Sequence, residues 1–133
     1  MRIMLDTNVL VSVIVFRSKV MTDMMSIIFS KHRLVLSSYV IEELKQVVAR
    51  KFGEKLLALE EFLFALPYEF VYTPELMNRE LFSIRDPADY PVLYSAIVED
   101  VDILITGDRD FAEIDVEKPE IVTPSEFVKK YGG

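Results

Sequence analysis

Four acidic side chains stand out for where they fall in the chain: Asp6, Glu43, Asp89 and Asp108. Asp6 follows the apolar run Ile3-Met4-Leu5 directly, and Asp108 comes three residues after Ile105. A carboxylate at such a place either caps the next helix or joins a ligand site. In open parallel sheets, ligands collect outside the carboxyl ends of the strands, where the strand order reverses. Both readings stand open for Asp6 and Asp108. Glu43 belongs to a helix-period segment whose apolar stripe is Val40, Leu44, Val47 and Val48. At about 100° per residue, Glu43 lies about 85° from the centre of that stripe, while Glu42 is nearly opposite. Glu43 therefore sits at the edge of a buried face, anchored yet open to a ligand; a boundary glutamate pairing with Lys45 or Gln46 is the ordinary alternative. Asp89 is in line with the apolar positions Val92, Leu93, Ala96 and Ile97. An unpaired carboxylate on that face is costly. It either caps the helix that opens at Asp86-Pro87-Ala88-Asp89 or points into a shared polar site, and the two roles are compatible. Pro91 places the first turn near Asp89 rather than at Pro87.

The elements that must position these groups follow from hydrophobic spacing. Short apolar runs predict strands at residues 2–5, 33–36, 69–72 and 102–105, with a short fifth at 121–122. Helical spacing predicts helices over 20–31, from a cap at Ser37 or Ser38 to about Lys51, over 54–66, over 90–99 and over 125–131. Gly53 and Pro67 are the expected stops. Residues 9–16 are ambiguous: their β-branched side chains favour a strand, and their place after a strand and a turn favours a short buried helix. Residues 73–85 carry no clear period. Strands separated by helices imply right-handed βαβ units and a parallel sheet covered on both faces.

The chain has 133 residues and is 51% hydrophobic, enough for one domain with one sizeable core. We expect a single domain over residues 1–133. It has no cysteine, so disulfides and thiolate metal sites are excluded, and a reducing compartment fits. His32 is the only histidine, which removes most histidine-based zinc sites. No signal peptide is read at the N-terminus, and the apolar stretch at 9–16 is too short to span a membrane; the expected location is the cytoplasm. A net charge of −7 argues against a large nonspecific nucleic-acid surface. It is compatible with a cation site, because clustered carboxylates must be balanced, and with a basic protein partner.

Taken in order, Leu5-Asp6-Thr7-Asn8-Val9-Leu10, Glu43-Leu44, Asp86-Pro87-Ala88-Asp89 followed by Leu93 and Ala96, and Thr106-Gly107-Asp108-Arg109-Asp110-Phe111 resemble the PIN-domain family of nucleases, and within it the VapC-like toxins of toxin–antitoxin pairs. The resemblance implies a three-layer α/β/α sandwich with a central parallel sheet. It also implies an endoribonuclease dependent on one or two Mg²⁺ or Mn²⁺ ions, with an RNA substrate, a cognate antitoxin protein and a homodimer. The family's four acidic positions fall on Asp6, Glu43, Asp89 and Asp108, which the resemblance makes the catalytic and metal-binding set. Asn8, Thr106 and Asp110 match supporting positions. Tyr90-Pro91 departs from the acidic or amide pair found in many relatives. Oxygen ligands alone suit these hard cations. Crowded carboxylates also repel one another, so at least one should hold its proton above the usual range when no cation is bound. Arg17, Lys19, Lys45, Arg50, Lys51 and Arg109 are candidates for a basic path, with Arg109 the best phosphate contact. Met21, Met24 and Phe29 are candidates for a dimer or antitoxin surface.

Two alternatives compete. The strand-end Asp6-Thr7-Asn8 also resembles the Asp-x-Asp loop of haloacid-dehalogenase-type phosphatases, although Asn8 cannot serve as the general acid/base which that loop supplies. The other is a PIN-like module that binds RNA or protein without cleaving.

Overall fold

The computed structural model describes residues 1–133. Its centre is a five-stranded sheet, all parallel, in the order β3-β2-β1-β4-β5. The strands are β1 (Arg2–Leu5), β2 (Arg33–Ser37), β3 (Glu69–Val71), β4 (Ile103–Ile105) and β5 (Glu120–Val122). Ile3, Met4 and Leu5 of β1 and Leu34, Val35 and Leu36 of β2 are all buried. Consecutive residues point to opposite faces of a strand, so both faces of the sheet are covered. The order turns back between β1 and β4: the chain first builds outward from β1 to β3, then crosses to the other side. The carboxyl ends of β1 and β4 therefore flank the switch point.

Seven α-helices do the covering: α1 (Thr7–Val11), α2 (Lys19–Lys31), α3 (Ser38–Lys51), α4 (Leu56–Ala65), α5 (Tyr90–Val98), α6 (Arg109–Ala112) and α7 (Pro124–Tyr131). Residues 9–16 resolve as helix rather than strand. Here α1 runs on into a π-helical turn over Ser12–Phe16, which ends at Arg17 in the left-handed region, φ 43°. Ser37, not Ser38, caps α3 by accepting from the Val40 N–H at 3.3 Å. Gly53 does not end α3 in a left-handed conformation; it opens a 3₁₀ turn, Gly53–Lys55, that leads into α4. Residues 73–85 contain no helix or strand. They are tied down by α5, whose Tyr90 hydroxyl donates to the Asn78 carbonyl at 2.5 Å and whose Tyr94 hydroxyl accepts from the Asn78 N–H at 3.2 Å.

The amino ends of the strands carry paired charges. Arg2 grips Glu69 with two hydrogen bonds, 3.1 and 2.7 Å, while its backbone N–H donates to Asp102 at 2.8 Å. Lys118 sits between Asp100 and Asp102, at 3.3 and 3.4 Å. Both chain ends lie at this pole: the Met1 amino group is 3.2 Å from His32 Nδ1, and the Tyr131 ring is 6.3 Å from the His32 ring.

Candidate active site at the carboxyl ends of β1 and β4

Asp6 leaves β1 at the switch point and is 5% exposed. One of its oxygens accepts from the Val9 N–H at 2.9 Å, capping α1. The other accepts from the Thr106 hydroxyl, just past β4. Capping and site membership are thus not alternatives here, because each uses a different oxygen. Burial holds the Asp6 carboxyl above the usual carboxylate range. The two hydrogen bonds oppose that rise, and the charges of Asp108 and Glu43 add to it.

Thr106 links two acids at once. Its hydroxyl donates to Asp6 and accepts from the Asp108 N–H at 3.1 Å. Asp108 in turn accepts from the Asp110 N–H at 2.9 Å and caps the one-turn helix α6. Asp89 occupies the cap position of α5 but receives no capping hydrogen bond. Asp86 performs that job one turn earlier, accepting from the Ala88 N–H at 3.0 Å across the 3₁₀ turn Pro87–Asp89. The Asp89 side chain is thereby released toward Asp108.

Asp89, Asp108 and Asp110 each present an oxygen within 4.8 Å of the others. Partial burial, followed by the nearby charges of Asp108 and Asp86, pushes the Asp89 carboxyl up to about 7. Glu43 comes from the half-buried edge of α3, as its angle to the apolar stripe predicts, with Glu42 exposed beside it. One of its oxygens accepts from the Thr7 hydroxyl, no protein donor meets the other, and it forms no ion pair with Lys45. Electrostatically it reaches both Asp6 and Asp89.

The structure therefore places Asp89, Asp108 and Asp110 within reach of one another, joins Asp6 to Asp108 through Thr106, and sets Glu43 close enough to act on Asp6 and Asp89. Asn8 is exposed and makes no hydrogen bond to the acids; it borders a separate depression with Ser12 and Gly107. Thr7 and Asp86 do work that the sequence reading did not assign to them. The one cation paired with the cluster is Arg85, 3.4 Å from Asp110. Among the expected basic residues, Arg109 is exposed and unpaired beside Asp108, whereas Lys19 is engaged with Asp23 at 2.9 Å and Arg17 borders an apolar groove. Met24 is fully buried and cannot belong to a partner surface; Met21 and Phe29 line the groove.

Chemically the site is an all-oxygen donor set with too little positive charge to balance it. Hard divalent cations such as Mg²⁺ or Mn²⁺ seek that combination, so the residues present fit such an ion.

The family model described as PIN domain matches residues 2–110. The chain belongs to the PIN-domain family. The match covers every acidic residue described above and stops before β5 and α7. No curated protein matches. Solved structures share this fold, and two of them serve as examples. One is VapBC2 from Rickettsia felis bound to a DNA fragment from its promoter: TM-score 0.70, 20% identity, covering 92% of this chain and 97% of that one. The other is VapC20 of Mycobacterium tuberculosis, described as a sarcin-ricin-loop-cleaving toxin: TM-score 0.61, 12% identity, covering 83% of this chain and 92% of that one.

Proposed function

We propose that the chain is a divalent-metal-dependent endoribonuclease and the toxin of a toxin–antitoxin pair. The observation that carries this reading is the convergence of carboxylates from four separated segments on the sheet's switch point, where burial and mutual repulsion already hold Asp89 and Asp6 above the usual carboxylate range. Family membership supplies the nuclease framework, and the neighbours' descriptions as VapBC2 and as a cleaving toxin supply the toxin role.

Asp89, Asp108 and Asp110 would hold the ion, with the free oxygen of Glu43 and the buried Asp6 completing its negative surroundings. Bound there, Mg²⁺ or Mn²⁺ supplies Lewis acidity toward a phosphodiester and lowers the pKa of water. The protein's own part is orientation. Thr106 fixes Asp6 and the Asp108 backbone relative to each other, and Thr7 fixes Glu43. Supporting contacts of this kind set ligand position and basicity. Arg109, exposed next to Asp108, is placed to meet a phosphate of the substrate.

An antitoxin needs an apolar seat. The groove of about 270 Å³ between the π-helical turn, α2 and α4, lined by Ile14, Met21, Met25, Phe29, Phe62 and Leu66, is the surface we assign to it. A homodimer remains part of the proposal, to be checked by light scattering. No helix is long and apolar enough to cross a membrane, and the cytoplasm is the proposed location. The PIN-family match leaves the phosphatase alternative without support.

The test is cleavage of single-stranded and structured RNA with Mg²⁺ or Mn²⁺, with EDTA, and by Asp108→Asn. The reading requires metal-dependent internal cleavage that chelation and the substitution both abolish while the circular dichroism spectrum is unchanged. Undiminished cleavage by Asp108→Asn, or none by the wild type with either ion, overturns it.

A further inference from the structure

Beside the acidic cluster lies an open cleft of about 610 Å³ between the start of α3 and the segment that follows β3. Its walls include Tyr39, Tyr72, Arg79 and Pro91, with Glu42 and Glu75 on the lining as well. Its inner wall is fixed to the catalytic region. The Tyr39 hydroxyl donates to the Ala88 carbonyl at 2.6 Å, one residue from Asp89. Its outer wall is also fixed. The Ser38 hydroxyl accepts from the Thr73 N–H at 2.9 Å, and the Ser95 hydroxyl of α5 donates to the Thr73 hydroxyl at 2.8 Å. Tyr72, directly before this tether, is 77% exposed, and the Phe70 ring meets it edge to face at 4.8 Å.

A large aromatic side chain that exposed, on a tethered backbone, presents a flat face to solvent at little ordering cost. Arg79 adds a second feature. Its guanidinium lies over the Tyr90 ring at 4.9 Å and makes no salt bridge or hydrogen bond, on a chain whose net charge is −7. Stacked on a ring, a guanidinium keeps its N–H edge free for bidentate contact with a phosphate.

We propose that this cleft seats one unpaired nucleotide of the substrate strand, its base stacked on Tyr72 and its phosphate held by Arg79. The inference rests on the nuclease reading above and narrows it to RNA with an unstacked base beside the cleavage point. Duplex RNA keeps its bases stacked inside the helix, whereas loops and single strands can offer one to an aromatic face.

The test measures binding apart from turnover. A single-stranded oligouridine carrying 5-iodouridine is titrated into the cleavage-deficient Asp108→Asn protein with Mn²⁺, by fluorescence anisotropy and by photocrosslinking. Tyr72→Ala, added to that background, should weaken binding roughly tenfold, the scale of a lost base–aromatic stack, and Arg79→Ala should weaken it through the lost phosphate contact. Tyr72→Phe should bind as the parent does, and the crosslink should map to Tyr72. Arg79→Ala should also flatten the dependence of log K on log salt by about 0.7, as loss of one single-strand phosphate contact requires. Unchanged affinity in Tyr72→Ala and Arg79→Ala, or equal losses in Tyr72→Phe and Tyr72→Ala, overturns the proposal. RNA crosslinked at Tyr72 by a wild-type protein that cleaves nothing would sink the nuclease reading and leave the cleft standing. Cleavage by wild type with both substitutions harmless to binding would do the reverse.

Discussion

The acids of this site have different jobs because each spends its oxygens differently. Both oxygens of Asp6 are engaged, by Val9 and Thr106, whereas Asp89 receives no capping bond and sits among like charges. Its folded pKa of about 7 lies above the ordinary carboxylate value near 3.8, so across that interval the folded chain binds more protons than the unfolded one. Stability contributed by protonated Asp89 is present in full below about pH 4 and is lost as pH rises through 7. In EDTA, Asp89→Asn should therefore melt higher than wild type at pH 8, and the gap should close toward pH 4. Thermal melts over that range check this; a gap that widens on acidification would show the wrong sign. Thr106→Val removes a donor from Asp6 and an acceptor from the Asp108 N–H together. It should lower kcat by about 10- to 100-fold, the scale of lost outer-shell contacts, while Thr106→Ser retains most of the activity. Steady-state kinetics on one RNA substrate separate the two.

At the level of elements, the segment between β3 and α5 depends on two tyrosines. Tyr90 and Tyr94 both bind Asn78, and Tyr90 stacks on Phe82 with ring centroids 4.1 Å apart. Replacing both hydroxyls, as Tyr90→Phe with Tyr94→Phe, should speed proteolytic nicking and amide exchange within residues 73–85 and leave the sheet's protection intact. Exchange mass spectrometry reads both regions in one experiment. The same segment marks where the sequence stopped being legible. Strands and long helices announced themselves because their apolar period matches their geometry, and α2, α3 and α5 begin and end within a residue or two of expectation. Residues 73–85 have no period because their order comes from side chains of α5. The π-helical turn was illegible for a related reason: β-branched residues 13–15 suit a strand locally, and only packing in the folded chain decides otherwise. In the site, Asp6 and Asp108 were legible from their places after strands. Thr7 holding Glu43 and Arg79 on Tyr90 each join separated parts of the chain by geometry that no spacing rule encodes, whereas Asp86, two residues before the N–H it caps, stood in a helix-start motif that left its role and that of Asp89 undivided.

Across the whole molecule, charge is sorted by pole. At the amino ends of the strands Arg2, Arg33 and Lys118 are matched with Glu69, Glu99, Asp100 and Asp102; at the carboxyl ends Arg85 is the one cation paired with the acids. A divalent cation should thus raise Tm in a concentration-dependent manner, by linkage to the folded state. Sodium chloride at matched ionic strength should not, and the rise should vanish in a double variant of Asp89→Asn with Asp108→Asn. Differential scanning fluorimetry decides it, and an equal rise from both salts would reduce the effect to general screening. Met1 and Tyr131 meet around His32 at the matched pole, on the far side of the sheet from the acids. A chain tethered to a bead, chip or fusion protein through either terminus therefore stands with its acidic mouth turned outward, open to a macromolecule in solution.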